Sequence, residues 1–270
     1  AAAVATVIAI QAQAETLLPP LVVTATRFAE ADPRVPANIS VISSEEIATS
    51  TSLGLPDLLK SRANIDIRPL YGAMGIDAAV DVRGFGDASG SNVVVLLDGR
   101  RLNSIDSSSI SWSAIPLGNV ERIEIIRGGG TVLYGDRATG GVINIVTDKS
   151  SVPATSVSAT TGSNGYTGID ANSGFSGQDA YLSVSGHYAD TDGWRRNSQA
   201  NQQSVSGRGG INFGAGRQGF IDYLLYKDSN GLPGYVTAAN YARNPRLSRT
   251  PKDTQQRDGY LVRPGAAWDI

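Results

Sequence analysis

The chain has 270 residues, 41% of them apolar, and a formal net charge of −2. That is enough apolar content for a packed core, and it supplies no basic field of the kind nucleic-acid binding needs. Cysteine is absent, which excludes disulfides and thiolate metal sites. Glycine reaches 31 and charged residues only 18%, a mixture that suits many short strands and turns rather than helical bundles.

The N-terminus opens with an apolar run, Ala1 to Ile10, followed by Ala12-Gln13-Ala14, a small-x-small cleavage pattern. The run is too short to cross a bilayer, which takes ~20 apolar residues. Residues 1–14 are therefore expected to be part of a signal peptide, and the protein to be exported. Residues 15–37 read as a polar, proline-flanked extension that holds two adjacent β-branched residues, Val22 and Val23, beside Thr24. Such a segment suits strand addition to the exposed sheet edge of a partner.

Residues 38–150 alternate strand and helix signals and are expected to form one α/β domain. Ile39–Ile42 is a short strand. Ser43 offers an N-cap, and Glu46 completes a capping box. Pro56 and Asp57 start a second helix. Strands are expected at Ile65–Arg68, Ala79–Arg83, Val93–Leu97, Arg122–Ile126 and Val142–Thr147. The run Val93–Leu97 has no alternation, which predicts burial on both faces, and Asp98-Gly99 after it is a hairpin signal.

After Pro153 the period changes to two. Val157 and Ala159 alternate with Ser156 and Ser158; Leu182 and Val184 alternate with Ser183 and Ser185. Residues 151–270 hold about six such segments, with Gly- and Asn-rich connections, the longest expected at Asp190–Gln202 and Asp228–Arg257. Transmembrane β-strands show this pattern. A soluble sandwich gives the same alternation, so periodicity leaves both architectures open.

No catalytic constellation is legible. Gly128-Gly129-Gly130-Thr131 lacks the Lys-Ser/Thr pair of a phosphate loop. Gly84-Phe85-Gly86 lacks the third glycine of a dinucleotide fingerprint. His187 is the one histidine, so a Ser-His-Asp triad and histidine metal ligation both lack support. The expectation is a protein that is not an enzyme and holds no resident cofactor or metal.

Three stretches carry a resemblance: Leu21-Val22-Val23-Thr24-Ala25; Val82-Arg83-Gly84 with Val93–Leu97 and Asp98-Gly99-Arg100; and Val120–Gly128 followed by Leu133-Tyr134-Gly135 and Gly140–Ile145. In order and spacing they resemble the TonB-dependent outer-membrane receptors. The departure is Gly129-Gly130, where the family usually has Pro and a small residue. The resemblance implies an α+β plug domain followed by antiparallel transmembrane β-barrel strands. Six strands cannot enclose such a plug, and a plugged barrel implies about 22, so the sequence is expected to be truncated.

The same resemblance implies site residues. Leu21, Val22, Val23, Thr24 and Ala25 would form the TonB box. Tyr71, Met74, Asn103, Asp106, Ser107 and Trp112, on the apical loops of the plug, would meet the ligand, with Trp112 as a stacking surface. Arg83, Arg122, Glu124 and Arg127 would form a plug–barrel latch, pairing with wall carboxylates or each other. The function implied is import of a scarce nutrient through the outer membrane of a Gram-negative bacterium, driven by TonB. A ferric siderophore heads the cargo classes, with cobalamin or haem as alternatives. Partners are TonB, that small molecule and outer-membrane lipid, with no nucleic acid. The short spacing between Ala14 and Leu21 leaves no room for an N-terminal signalling domain, so transport without direct transcriptional control is expected. An exported β-rich adhesin is the rival from another class.

Overall fold

The computed structural model describes residues 38–71, 74, 77–84, 86, 92–103, 110, 112, 115, 117–135, 137–148 and 155–268. Strand β1 (Asn38–Ile42) leads into α1 (Ser44–Ala48). The Ser43 hydroxyl accepts from the Glu46 amide at 3.3 Å, and the Glu46 carboxylate accepts from the Ser43 amide at 2.9 Å. That reciprocal pair is the expected capping box. Helix α2 (Leu55–Ala63) has Pro56 in its first turn, where a missing N–H costs nothing. It stops at Asn64, whose φ of 51° closes the helix in the left-handed region.

Strands β2 (Asp66–Tyr71) and β3 (Asp77–Asp81) pair as a separate antiparallel ribbon. Then come β4 (Val93–Leu97), β5 (Arg100–Arg101), β6 (Val120–Arg127), the short helix α3 (Thr131–Tyr134) and β7 (Gly141–Thr147). They form a five-stranded sheet in the order β1-β6-β7-β4-β5, in which β4 and β7 run parallel. Asp98 and Gly99 both have positive φ (51° and 77°), as a two-residue hairpin with native twist requires. Val93–Leu96 is buried at every position because the sheet has a core on each side. Val93 and Val95 join the cluster of Leu55, Leu58, Ile123 and Ile143, whereas Val94 and Leu96 join that of Ile126, Ala138 and Val142. Helix α3 was not expected from its glycine-rich approach. A Cβ on Gly130 would lie 2.7 Å from Val142 Cγ2, so only a hydrogen fits where α3 begins.

The second half is an antiparallel meander of β8 (Ser156–Thr161), β9 (Thr167–Ser176), β10 (Ala180–Thr191), β11 (Ala200–Gly214), β12 (Arg217–Gly231) and β13 (Thr254–Trp268). The three last strands have 15 residues each, beyond the ~9–11 that a tilted strand needs to cross a bilayer. Connections 177–179 and 215–216 are short at one end; 162–166, 192–199 and 232–253 lie at the other. The two long loops are shorter than the sequence suggested, because the strands run on through polar residues such as Gln202, Asp228 and Arg257, which pair in register.

The alternation resolves in one direction. Val157, Phe175, Ile221, Tyr260 and Trp268 are exposed, Val157 at 76% and Tyr260 at 80%. The opposite face, with Ser183, Ser185, Gln202, Ser204, Ser206 and Asp228, is buried. A soluble sandwich buries its apolar face. Here the apolar face points outward and the polar face covers the α/β domain, which is the polarity of a lipid-facing wall.

Candidate functional site

Where the α/β domain meets the wall, the β4–β5 hairpin places Asp98 beside three charged residues of β11–β13. Arg263 lies 3.5 Å from Asp98 and also binds Asp222, its Nε donating to Oδ2 at 2.7 Å. Arg208 grips the same Asp222 through Nε at 2.5 Å and Nη2 at 3.1 Å, and its guanidinium lies 4.1 Å from the Phe220 ring centroid. Asp98 is held in turn by the Thr147 hydroxyl at 2.8 Å and the Thr147 amide at 3.0 Å. Nearby, Asn119 donates to the Ser206 hydroxyl at 3.1 Å, while Leu224, Tyr226 and Leu261 pack into the core of the α/β domain. The gap left around this cluster is only about 60 Å³. This seam is tight and ion-paired.

Along β8–β10 the seam is different. A cavity of about 380 Å³ opens between the wall, with Thr160, Tyr166, Asp170 and His187, and the α/β domain, with Ser50, Ser52, Met74 and Leu117. His187 Nδ1 and Asp170 Oδ1 are 2.7 Å apart on neighbouring strands. Burial pushes the phenol of Tyr166, in the β8–β9 turn, above its usual range, and the Asp170 and Asp57 carboxylates add to the shift.

At the end carrying the long connections, loops 192–199 and 232–253 are stapled together. Arg195 Nη2 donates to three carbonyls, of Pro233 (3.3 Å), Gly234 (2.9 Å) and Leu247 (2.6 Å). Asn197 Nδ2 reaches the carbonyls of Leu232, Thr250 and Asp253 at 3.2, 2.6 and 2.9 Å. Arg246 returns a bond from Nε to the Trp194 carbonyl at 2.7 Å. Trp194 and Tyr241, the latter on helix α4 (Ala238–Arg243), face each other with ring centroids 6.4 Å apart. None of these residues was singled out from sequence; the available signal was an Arg- and Tyr-rich loop without carboxylates in its middle.

Residues 32–142 match the family model described as the TonB-dependent receptor plug domain. The chain carries that plug. Over 130 residues, 48% of the chain, it is 41% identical to the vitamin B12 transporter BtuB of Vibrio vulnificus (strain CMCP6). Those residues make up 21% of that relative, so the chain spans about a fifth of its length. Among solved structures, the ferric citrate transporter FecA in its unliganded form matches with a TM-score of 0.71 at 20% identity, over 86% of this chain and 37% of that one. Pseudomonas aeruginosa FpvA bound to heterologous pyoverdines matches with a TM-score of 0.73 at 13% identity, over 93% and 34%. These share the fold: a plug, then antiparallel barrel strands.

Of the residues expected to pair with wall carboxylates or each other, Arg122 and Glu124 pair with each other, and among the described residues none of the three arginines pairs with a carboxylate of β8–β13. Arg122 pairs with Glu121 and Glu124 of its own strand, each at 2.9 Å, and Glu124 is fully buried. Arg127 binds the Ser40 hydroxyl and the Ala63 carbonyl, so it closes the C-terminal end of α2. Arg83 is exposed. The reason is sheet position. Strand β6 lies between β1 and β7 and spends its charges inside the plug, whereas the β4–β5 hairpin reaches the wall. The ionic contact thus has the opposite polarity, with the carboxylate (Asp98) on the plug and the arginines on the wall.

Two expected ligand residues are also structural. Trp112 is 3% exposed, and its indole Nε1 donates to the Ala78 carbonyl at 2.9 Å, so it offers no free stacking face. Asn103 accepts from the Val95 amide (2.7 Å) and donates to the Val93 carbonyl (3.0 Å), satisfying the edge of β4. Met74 lines the larger cavity with φ 57°. The Tyr71 side chain, Asp106, Ser107 and Leu21–Ala25 lie outside the described residues.

Proposed function

We infer that the protein acts as an outer-membrane receptor that binds a scarce nutrient and imports it to the periplasm with energy delivered by TonB. The observation that carries this is the inverted wall: apolar residues outward, polar residues against a plug. In that reading the long-loop end faces the medium and captures the cargo, a ferric siderophore. The extended segment Leu21–Ala25 adds as a strand to TonB, where main-chain hydrogen bonds supply the affinity. Pulling on it must then loosen a plug held at Asp98 by Arg263. The wall is apolar where it meets lipid, and the chemistry is translocation rather than covalent catalysis.

Identity of 41% to a vitamin B12 transporter favours cobalamin as the second reading. The test of TonB-driven import is Val23→Pro in the receptor expressed in a Gram-negative host that lacks its own uptake system. Proline removes a ladder donor from the strand, so uptake is expected to cease while cargo binding at the cell surface persists. Unchanged uptake would refute the role of this segment.

A further inference from the structure

We propose that the plug parts from the wall on one side only: a passage widens along β8–β10 from the cavity already there, while the contact with β11–β13 persists through transport. The proposal rests on the import reading above and adds to it which contact yields. Arg263 beside Asp98 then acts as a pivot rather than as the bond that must break.

The two seams differ first in what holds them. Among the described residues, the wall enters the core cluster of the plug through Leu224, Tyr226 and Leu261, all on β12 and β13, which join Ile115 and Val120. Parting that seam returns apolar surface to water, the dominant cost of undoing a packed contact. It also separates Asn119 from Ser206, at 3.1 Å, and Asp98 from Arg263, at 3.5 Å. The space there, about 60 Å³, admits a few waters at most. Along β8–β10 the cavity is about 380 Å³ and is faced by hydroxyls and amides: Ser156, Ser158, Thr160 and Asn172 on the wall, Ser50 and Ser52 on the plug. Polar groups at a wet seam exchange one hydrogen-bond partner for another when it widens, so little free energy opposes the movement.

The rim of the plug on the cavity side is also its looser part. The Ser50 hydroxyl donates to Ser52 at 2.8 Å, and Ser52 meets Ser61 at 3.2 Å, so these hydroxyls are satisfied inside the plug rather than by the wall. Helix α1, whose Ile47 and Ala48 line the cavity, has no buried residue. Helix α2 after it buries Leu55, Leu58 and Leu59. Before α1 comes β1, the edge strand of the plug sheet and the first strand after the segment through which TonB pulls in the import reading. Force along the chain therefore reaches the loosely packed rim of the cavity before it reaches the seam at β11–β13.

The chain holds no cysteine, so pairs of cysteines can tether each seam by itself in a full-length receptor otherwise free of thiols. A disulfide between Asn119→Cys and Ser206→Cys ties the tight seam. A cleavable bis-maleimide between Ser52→Cys and Ser158→Cys spans the cavity. Uptake is read with radiolabelled ferric tricatecholate and radiolabelled cyanocobalamin, in cells with and without TonB. The disulfide is expected to leave TonB-dependent uptake at the rate of its reduced form. The tether across the cavity is expected to abolish uptake, to leave cargo binding at the cell surface unchanged, and to release the block when it is cleaved. A disulfide that stops uptake until it is reduced overturns the proposal, because the seam at β11–β13 would then have to part. Undiminished uptake with the cavity tethered overturns it as well. Either result leaves the import reading intact, since that reading fails only with the Val23→Pro uptake test.

Discussion

Replacing Asp222 by Asn tests whether the ionic cluster of the wall that faces Asp98 of the plug stabilises the receptor. Asp222 accepts bonds from Nε and Nη2 of Arg208 and from both Nε and Nη2 of Arg263. Hydrogen bonds to charged groups are worth about 1.5–3 kcal/mol each, without simple additivity, and orphaning one partner of a buried ion pair costs about 3–5 kcal/mol. The seam is not fully dry: the Arg208, Asp222 and Arg263 side chains are 14%, 17% and 30% exposed, and Asp98 stays within 3.5 Å of Arg263. Both facts lower the expected loss to about 2–3 kcal/mol. Asn keeps the shape, removes the charge and turns one accepting oxygen into an NH2 donor that faces a guanidinium. The assay is urea unfolding of the receptor folded into vesicles, with Arg83→Gln, an exposed charge, as the control expected to be neutral. A loss below about 0.5 kcal/mol, the range of surface pairs, would refute the cluster as a stabilising element of the wall.

Three further outcomes follow from the same structure. Trp112→Ala should destabilise the plug by about 3–5 kcal/mol through cavity formation, seen as a lowered thermal midpoint, while leaving the affinity of purified folded receptor for cargo unchanged. Leu225→Arg, midway along β12 on the outward face, should cost about 2–4 kcal/mol of folding free energy in vesicles, as lipid-facing cations do near the midplane; a neutral effect would deny that this face meets lipid. Arg195→Ala removes the bonds to three carbonyls of the second loop. Chymotrypsin cleavage after Tyr235 or Tyr241 should accelerate, with the wall strands unaffected.

Local chemistry made much of the fold legible. Ser43 and Glu46 marked a helix start because the capping box lies within one turn. Asp98-Gly99 marked a hairpin because two consecutive positive φ values favour those residues. Val93–Leu97 announced burial on both faces because a strand with a polar side would have alternated. The period of two after Pro153 gave the strands. All these signals act between residues close in sequence.

Only the tertiary structure decided the rest. Alternation shows that a strand has two faces and not which one meets lipid; that required seeing Ser185 and Ser206 covered by the plug while Ile221 and Tyr260 stand outside. Trp112 looked like a binding surface because it follows a serine-rich loop, yet its indole is tied to Ala78, a partner 34 residues away. The plug arginines were expected to pair with wall carboxylates or each other because the resemblance implies an ionic latch. Arg122 pairs within its own strand and Arg127 with the end of α2, while Asp98 meets wall residues more than 100 positions downstream. Pairings over such separations depend on how strands are ordered in space, which no local window of sequence encodes.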